Sequence, residues 1–231
     1  MLPIRDDLPR YSTPWVTRFL IVLNLLIYFF EATLSPQDLR VVIHQFGVVP
    51  YHLAAFLAGS SRFPLPVVVL PFFTSMFLHG SWMHVIGNMW FLYIFGDNVE
   101  DYLGHFKYLV FYILVGLIAM VTQVAINLHS TVPTLGASGA IAGVLGAYFI
   151  LYPRARVLTW FFVLVVWVPA WIILGYWFVL NFLSGTASAL AVQGQNMGGV
   201  AFWAHVGGFA AGALLVKVFG ERARRYPYAV E

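Results

Sequence analysis

The chain has 231 residues, of which 61% are hydrophobic and only 9% are charged, with a formal net charge of +3. Soluble domains carry about 25% charged residues, so this composition, with a mean hydropathy of +0.84, indicates a membrane protein with several spans. The chain has no cysteine, which excludes disulfides, thiolate catalysis and cysteine-ligated metals. The small net charge gives no reason to expect a nucleic-acid partner.

Apolar runs separated by polar turns predict one all-α domain over residues 1–231, a polytopic bundle of six transmembrane helices. A leader covers residues 1–13, a six-helix core covers 14–219 and a basic cytoplasmic tail covers 220–231. The first span has Arg18 and Glu31 at its edges, where long side chains reach water. The six predicted spans are 14–33, 81–95, 108–126, 138–151, 157–183 and 200–219.

Two connections between the spans are unusually long. Residues 34–73 are polar at their start and rich in proline at their end, and the stretches 38–46 and 51–57 are predicted to be short interfacial helices. Residues 184–199 are predicted to form a loop of small and polar residues, with Met197 as a candidate plug for a water cavity below it.

The distribution of Lys and Arg predicts the orientation of the chain. Only Arg40 and Arg62 fall on one side of the six threaded spans. The other ten basic residues fall on the opposite side: Arg5, Arg10, Arg18, Lys107, Arg154, Arg156, Lys217, Arg222, Arg224 and Arg225. We therefore expect a multi-pass protein with both termini cytoplasmic, in a prokaryotic plasma (inner) membrane.

Ser138 opens a fourth span that is too short to cross a hydrocarbon slab of about 30 Å. This helix is therefore predicted to start inside the membrane, where irregular backbone is tolerated beside a water-filled cavity. The free N–H groups and the dipole of the helix start could stabilise negative charge at Ser138. The alternative is an N-cap serine in a seam of small residues.

Polar residues on two other spans are predicted to reach the same depth. Counted from the cytoplasmic ends of their spans at about 1.5 Å per residue, Ser138 lies about 22 Å deep, His84 about 20 Å and His205 about 18 Å. Ionisable residues inside a membrane point to function. No Asp or Glu is expected near this depth, so a Ser–His pair would lack an acidic third member.

Glycine spacing predicts that the fourth and sixth spans pack closely. Small residues on one helix face let two backbones approach. If these faces meet, Ser138 and His205 come together. The small-residue faces are Gly139, Gly143 and Gly146 on the fourth span, and Gly208 and Gly212 below His205 on the sixth.

Three motifs in order along the chain resemble the rhomboid family of intramembrane serine proteases, and the likeness covers the six-span core. They are Gly136-Ala137-Ser138-Gly139, the stretch His79-Gly80-Ser81-Trp82-Met83-His84-Val85-Ile86-Gly87-Asn88, and Ala204-His205-Val206-Gly207-Gly208 with Gly212.

The resemblance implies that Ser138 is the nucleophile and His205 the general base. It also implies that His79 or His84, with Asn88, Gly136 and the Ser138 N–H, lines the oxyanion side. The implied activity is peptide hydrolysis in or near transmembrane segments of membrane-protein substrates, without a cofactor or metal.

The chain departs from the family pattern in two places. Ala142 stands where many rhomboids have an aromatic residue that packs on the catalytic histidine. Val69-Leu70-Pro71 stand where the family has a Trp-Arg pair in its first loop.

Three other functions remain open. One is a catalytically silent rhomboid-like protein that binds membrane clients, although such relatives typically lack the serine or histidine that are present here. A metal site built on three histidines lacks carboxylate or thiolate partners. A transporter lacks the expected inverted repeats and intramembrane charges.

The aromatic fifth span is predicted to form a lateral gate against the second. Trp167, Trp171 and Phe178 are the candidate gate residues on one face.

Overall fold

In the computed structural model, which describes residues 1–191 and 200–220, the chain is mostly helical. Two helices, α1 (Trp15–Thr33) and α6 (His105–Ile126), are long and apolar enough to cross a membrane. The Ala170–Ser188 part of α8 (Ala170–Ala191) is a third such segment. The protein is therefore a multi-pass integral membrane protein. The predicted loop residue Met197 and the basic tail beyond residue 220 lie outside the described residues.

The connection after α1 contains three short helices, α2 (Pro36–Phe46), α3 (Pro50–Leu57) and α4 (Leu65–Thr74). The first two match the predicted short helices to within two residues, and each begins at a proline, whose fixed φ suits the first helical turn. A 3₁₀ turn, Ser75–Phe77, follows α4. The chain then bends by 75° into α5 (Trp82–Leu103), and the two parts together form a fourth, broken candidate span.

The helix α7 (Ser138–Leu151) lies at the centre of the molecule and is buried along nearly its whole length. It packs on α5, α6, α8 and most extensively on α9 (Phe202–Leu215). Both α7 and α9 have 14 residues and are apolar.

Glycines allow α7 and α9 to approach at backbone distance. A Cβ added to Gly208 would overlap the Gly139 carbonyl oxygen, and one added to Gly212 would overlap the Gly143 carbonyl oxygen. On the other face of α7, a Cβ on Gly143 would strike Val115 of α6. Because these obstacles are mainly backbone and β-branched atoms, glycine is the residue that fits the seam.

The all-α prediction missed a three-stranded antiparallel sheet of β1 (Leu2–Asp6), β2 (Arg156–Phe161) and β3 (Leu164–Pro169). The predicted fifth span at 157–183 is therefore wrong over its first half. Its helix begins only at Ala170 and continues to Ala191, so the loop predicted from residue 184 is helical over 184–191. A continuous apolar run does not distinguish a strand from a helix. Here β-branched and aromatic residues favour strands, and a two-residue turn with Phe162 at φ 55° joins them.

Glu31 was predicted to reach water at the edge of the first span, and this prediction is wrong. Its side chain is 1% exposed, and its Oε2 accepts a hydrogen bond of 3.2 Å from the His79 backbone N–H. Arg18, at the opposite end of α1, is exposed as predicted. A buried carboxylate needs hydrogen bonds in place of water, and the turn that leads into α5 supplies one.

At the start of α1, a carboxylate from another helix satisfies free backbone donors. Glu100 of α5 accepts hydrogen bonds from the backbone N–H groups of Val16 and Thr17 at 2.9 and 2.8 Å. The first turn of a helix leaves such donors unpaired and favours negative charge. Arg10, in the leader before α1, forms an ion pair of 2.9 Å with Asp97 of α5. These contacts hold the leader and α1 to the end of α5.

Candidate active site

Ser138 is the first residue of α7, and its hydroxyl bonds to a residue on α9. The residue that caps this helix is Ala137, and no side chain makes a cap hydrogen bond. Ser138 Oγ lies 2.8 Å from His205 Nε2. The alternative interpretation of Ser138 as an N-cap serine is therefore wrong, because its hydroxyl is engaged with an imidazole.

Gly136 shapes the backbone that leads to Ser138. Its φ of 122° lies in a region that side chains rarely adopt, and its N–H donates to the Ser75 carbonyl oxygen at 2.8 Å. A Cβ at this position would lie 2.8 Å from Cε1 and Nε2 of His84. The imidazole of His84 therefore lies directly over Gly136 and beside the start of α7.

His79 and Asn88 form a second polar group next to His84. Asn88 Nδ2 and His79 Nε2 are 2.9 Å apart, and the His79 and His84 rings meet edge to face with centroids 5.1 Å apart. His79 is almost fully buried, and Glu31 holds its backbone N–H. The structure thus brings together the three polar residues predicted on the second span, with His84 touching the Ser138 turn.

His205 is buried, and its other ring nitrogen has a partner that the sequence analysis missed. His205 Nδ1 lies 2.6 Å from Asn181 Oδ1, on α8. The ring of Trp177, also on α8, packs on the imidazole with centroids 5.5 Å apart and planes at 34°. A single Asn in an otherwise apolar span is the sequence signal for this partner, since an amide oxygen accepts a hydrogen bond as a carboxylate does.

A small cavity lies beside Ser138. It is enclosed by the turn before α7 and by α6 and α9. Apart from Ser138 and Thr134, its walls are apolar or small. The residues that shape it include Met76, Gly116, Ala119, Met120, Leu135 and Ala204.

The candidate gate residues do not share one helix face. Trp167 lies in β3, where the Arg5 and Arg156 guanidinium groups are 5.7 and 5.9 Å from its ring. Trp171 is 53% exposed. Phe178 packs on Phe209 of α9 with ring centroids 4.8 Å apart. The grouping was wrong because it placed all three on one continuous helix, whereas residues 164–169 form a strand.

In the residues that the structure describes, no group of three His, Cys, Asp or Glu side chains is arranged to hold a metal ion. The absence of a cofactor or metal remains a prediction for the protein.

These features define a class: multi-pass membrane proteins with a serine at the start of a buried helix, hydrogen-bonded to a histidine on the adjacent helix. A family model, Rhomboid domain, matches residues 68–222. The chain belongs to the rhomboid family, which includes serine proteases, and the resemblance found in the motifs is confirmed.

Curated relatives agree with this assignment. The chain is similar to "Rhomboid-like protein 11, chloroplastic" of Arabidopsis thaliana, with 30% identity over 63% of this chain and 50% of that protein. It is similar to "Rhomboid protein 1, mitochondrial" of Saccharomyces cerevisiae, with 32% identity over 61% of this chain and 39% of that protein. "Presenilin-associated rhomboid-like protein, mitochondrial" of Mus musculus is 28% identical over 62% of this chain and 36% of that protein. The matches thus span half or less of these relatives' lengths.

Proposed function

We propose that the protein is an intramembrane serine endopeptidase that hydrolyses peptide bonds in or near transmembrane segments of other membrane proteins. The observation that carries this proposal is the 2.8 Å separation between Ser138 Oγ and His205 Nε2 at the buried start of α7. A serine hydroxyl is a weak nucleophile until an adjacent base accepts its proton. Membership of a family that includes serine proteases supports the same function.

In the proposed reaction, Ser138 Oγ attacks the scissile carbonyl carbon while its proton moves to His205 Nε2. The tetrahedral intermediate collapses, the C–N bond breaks, and the leaving amine takes the proton from Nε2. A water molecule then gives a proton to Nε2 and attacks the acyl ester on Ser138. Release of the carboxylic acid returns the proton to Ser138 Oγ.

The negative oxygen of the intermediate needs donors aimed at it. The free N–H groups at the start of α7 are suitable because a helix N-terminus binds anions. His84, which lies over Gly136, and Asn88 are the side chains on the facing helix. We assign His79 to holding Asn88, with which it shares a 2.9 Å contact. We assign Gly136 to shaping the turn.

We propose six spans, α1, α5, α6, α7, α8 and α9, in one domain over residues 1–231. At about 1.5 Å per residue, a 14-residue helix is about 21 Å long, so α7 is short for a bilayer and would begin inside it. Exposed Arg5, Arg18 and Arg154 support cytoplasmic termini. The printed names of the relatives above refer to mitochondria or chloroplasts and give no support to a prokaryotic plasma membrane, which stays a prediction.

We propose that substrates enter from the lipid between α5 and α8, because α8 packs chiefly on α9 and α7. The cavity beside Ser138 suits a small side chain at the cut site, and a small residue also weakens the substrate helix that must open. A cysteine pair joining α5 to α8 tests this route, since the chain has no other cysteine. Oxidation should stop cleavage and reduction should restore it. Full activity with the cross-link complete would rule out this route.

The test of the function itself uses purified protein in detergent with a generic transmembrane substrate. We expect the wild type to cut, Ser138→Ala to be inactive but folded, and Ser130→Ala, a change in the loop before α7, to cut normally. A fluorophosphonate probe should label Ser138, as located by mass spectrometry. A folded wild type that neither cuts nor reacts, yet binds the substrate, would instead identify a catalytically silent client-binding protein. A label on another serine would disprove the assignment.

A further inference from the structure

We propose that Asn181 and Trp177 on α8 position His205, so that an amide serves as the third member of a Ser138–His205–Asn181 triad. This inference rests on the proposed function and deepens it. The Asn181 Oδ1 to His205 Nδ1 distance of 2.6 Å is that of a short hydrogen bond. Both side chains are 8% exposed, so water competes little for this bond.

The orientation of the Asn181 amide follows from a second hydrogen bond. Asn181 Nδ2 donates to the Trp177 carbonyl oxygen at 2.8 Å, one helical turn earlier. A carbonyl oxygen is an acceptor only, so the NH₂ group must face it and Oδ1 must face His205. Since Oδ1 cannot donate, the proton of the neutral imidazole is on Nδ1. The lone pair of Nε2 is then directed at the Ser138 hydroxyl.

The same bond also contributes during proton transfer. When Nε2 accepts the Ser138 proton, the imidazole becomes an imidazolium and its Nδ1–H still points at Asn181 Oδ1. A hydrogen bond from a charged donor is roughly twice as strong as a neutral one. The contact is therefore stronger in the transition state than in the ground state, which is the condition for accelerating the chemical step.

Ring packing on His205 also comes from α8. Ala142, one turn after Ser138, has no ring to place against the imidazole, and it is fully buried. The indole of Trp177 packs there instead, at 5.5 Å between centroids. Trp177 and Asn181 are one turn apart on the same face of α8, so one helix supplies both contacts that orient His205.

The principal variant is Asn181→Leu, which keeps the approximate size and removes the acceptor. We expect kcat to fall about 10- to 100-fold, the effect of losing one hydrogen bond to a charged group, while KM changes less than twofold. The rate of fluorophosphonate labelling at Ser138 should fall by a similar factor, because a small probe reports serine activation rather than substrate entry. Asn181→Gln, which keeps the amide, should recover part of the loss.

Asn24→Leu is the matched control. Asn24 is likewise a buried asparagine that donates from Nδ2 to the carbonyl oxygen one turn earlier, at Leu20, but it lies on α1 and does not contact His205. We expect this control to change thermal stability without changing the labelling rate. Equal labelling losses in both variants would mean that Asn181 acts only through stability, and would overturn the proposal.

The outcomes separate this proposal from the proposed function. A folded wild type that does not cut would refute the protease assignment, and an active Ser138→Ala variant would refute Ser138 as the nucleophile. An inactive Ser138→Ala beside an Asn181→Leu that cuts and labels at the wild-type rate would refute only the role of Asn181. If Asn181→Leu does not fold, ¹⁵N NMR of the wild type tests the proposal by showing which ring nitrogen of His205 carries the proton. We expect the proton on Nδ1, and a proton on Nε2 would overturn the proposal.

Discussion

Replacing Gly208 with alanine should impair catalysis by separating α7 from α9. The added Cβ would overlap the Gly139 carbonyl oxygen and would lie 3.2 Å from Ala119 Cβ. Carbon atoms in contact are normally about 3.5–4.0 Å apart. A backbone carbonyl cannot rotate away, so the two helices must part by about 1 Å to restore an ordinary contact.

A shift of this size acts directly on the catalytic pair. The Ser138–His205 distance of 2.8 Å would exceed the usual hydrogen-bond range if it lengthened by the same amount. A 1 Å misplacement in an active site can cost about 100-fold in rate. Overpacking of this kind costs about 1–3 kcal/mol in stability. We therefore expect Gly208→Ala to lose about 100-fold in kcat and to unfold at a lower temperature.

The assay compares cleavage of a transmembrane substrate, fluorophosphonate labelling and thermal unfolding in detergent. Gly175→Ala is the matched control, because a Cβ there would meet only Phe149 Cε2, at an ordinary 3.8 Å. We expect it to cut at the wild-type rate. A Gly208→Ala variant that is fully active and as stable as Gly175→Ala would refute the argument that backbone contact between the two helices sets the geometry of the site.

Three further predictions concern other parts of the molecule. Glu100→Ala should lower the unfolding temperature, because it removes the acceptor of two backbone N–H groups at the start of α1; an unchanged value would contradict that role. Burial raises the pKa of Asp6 from 3.8 to about 7, so the folded protein keeps a proton that the unfolded chain has already released. Stability should therefore fall as the pH rises from about 4 to about 7, and a pH titration of thermal unfolding should lose this component in Asp6→Asn. His84→Ala and Asn88→Ala should each be less damaging than Ser138→Ala, since each removes one donor or its support; two folded variants with no cleavage at all would give these side chains a larger role.

The sequence predicted the helices that begin or end at clear polar boundaries. The first helix was expected at 14–33 and is Trp15–Thr33, and the helix expected at 108–126 is His105–Ile126. These boundaries were predictable because proline, glycine and charged residues interrupt the apolar runs. The start of α8 was missed because residues 157–169 are as apolar as the helix that follows. In a continuous apolar run, the hydrophobic pattern does not distinguish a short strand from a helix.

The candidate site could be predicted only where a motif carried it. Ser138 and His205 lie in short motifs with neighbouring glycines, and the structure brings their side chains into contact. The contacts of Asn181 and Glu31 were missed for a different reason. Each is a single polar residue in an apolar helix, and its partner lies 24 or 48 positions away in the chain. Such contacts depend on how helices are rotated against each other, which no local pattern specifies.

The pairing of β1 with β2 also limits how often the chain can cross the bilayer. Paired strands lie on the same side of a membrane, so the chain between them must cross an even number of times. If α1, α5 and α6 each cross once, the 14-residue α7 must supply the fourth crossing despite its length. The same rule holds for two other contacts. The chain between the ion-paired Arg10 and Asp97 contains two proposed crossings, α1 and α5. The chain between Lys107 and the Phe219 carbonyl to which it bonds contains four, α6 to α9. The pairing of β1 with β2 therefore constrains the sidedness of the whole bundle, which helix length alone leaves open.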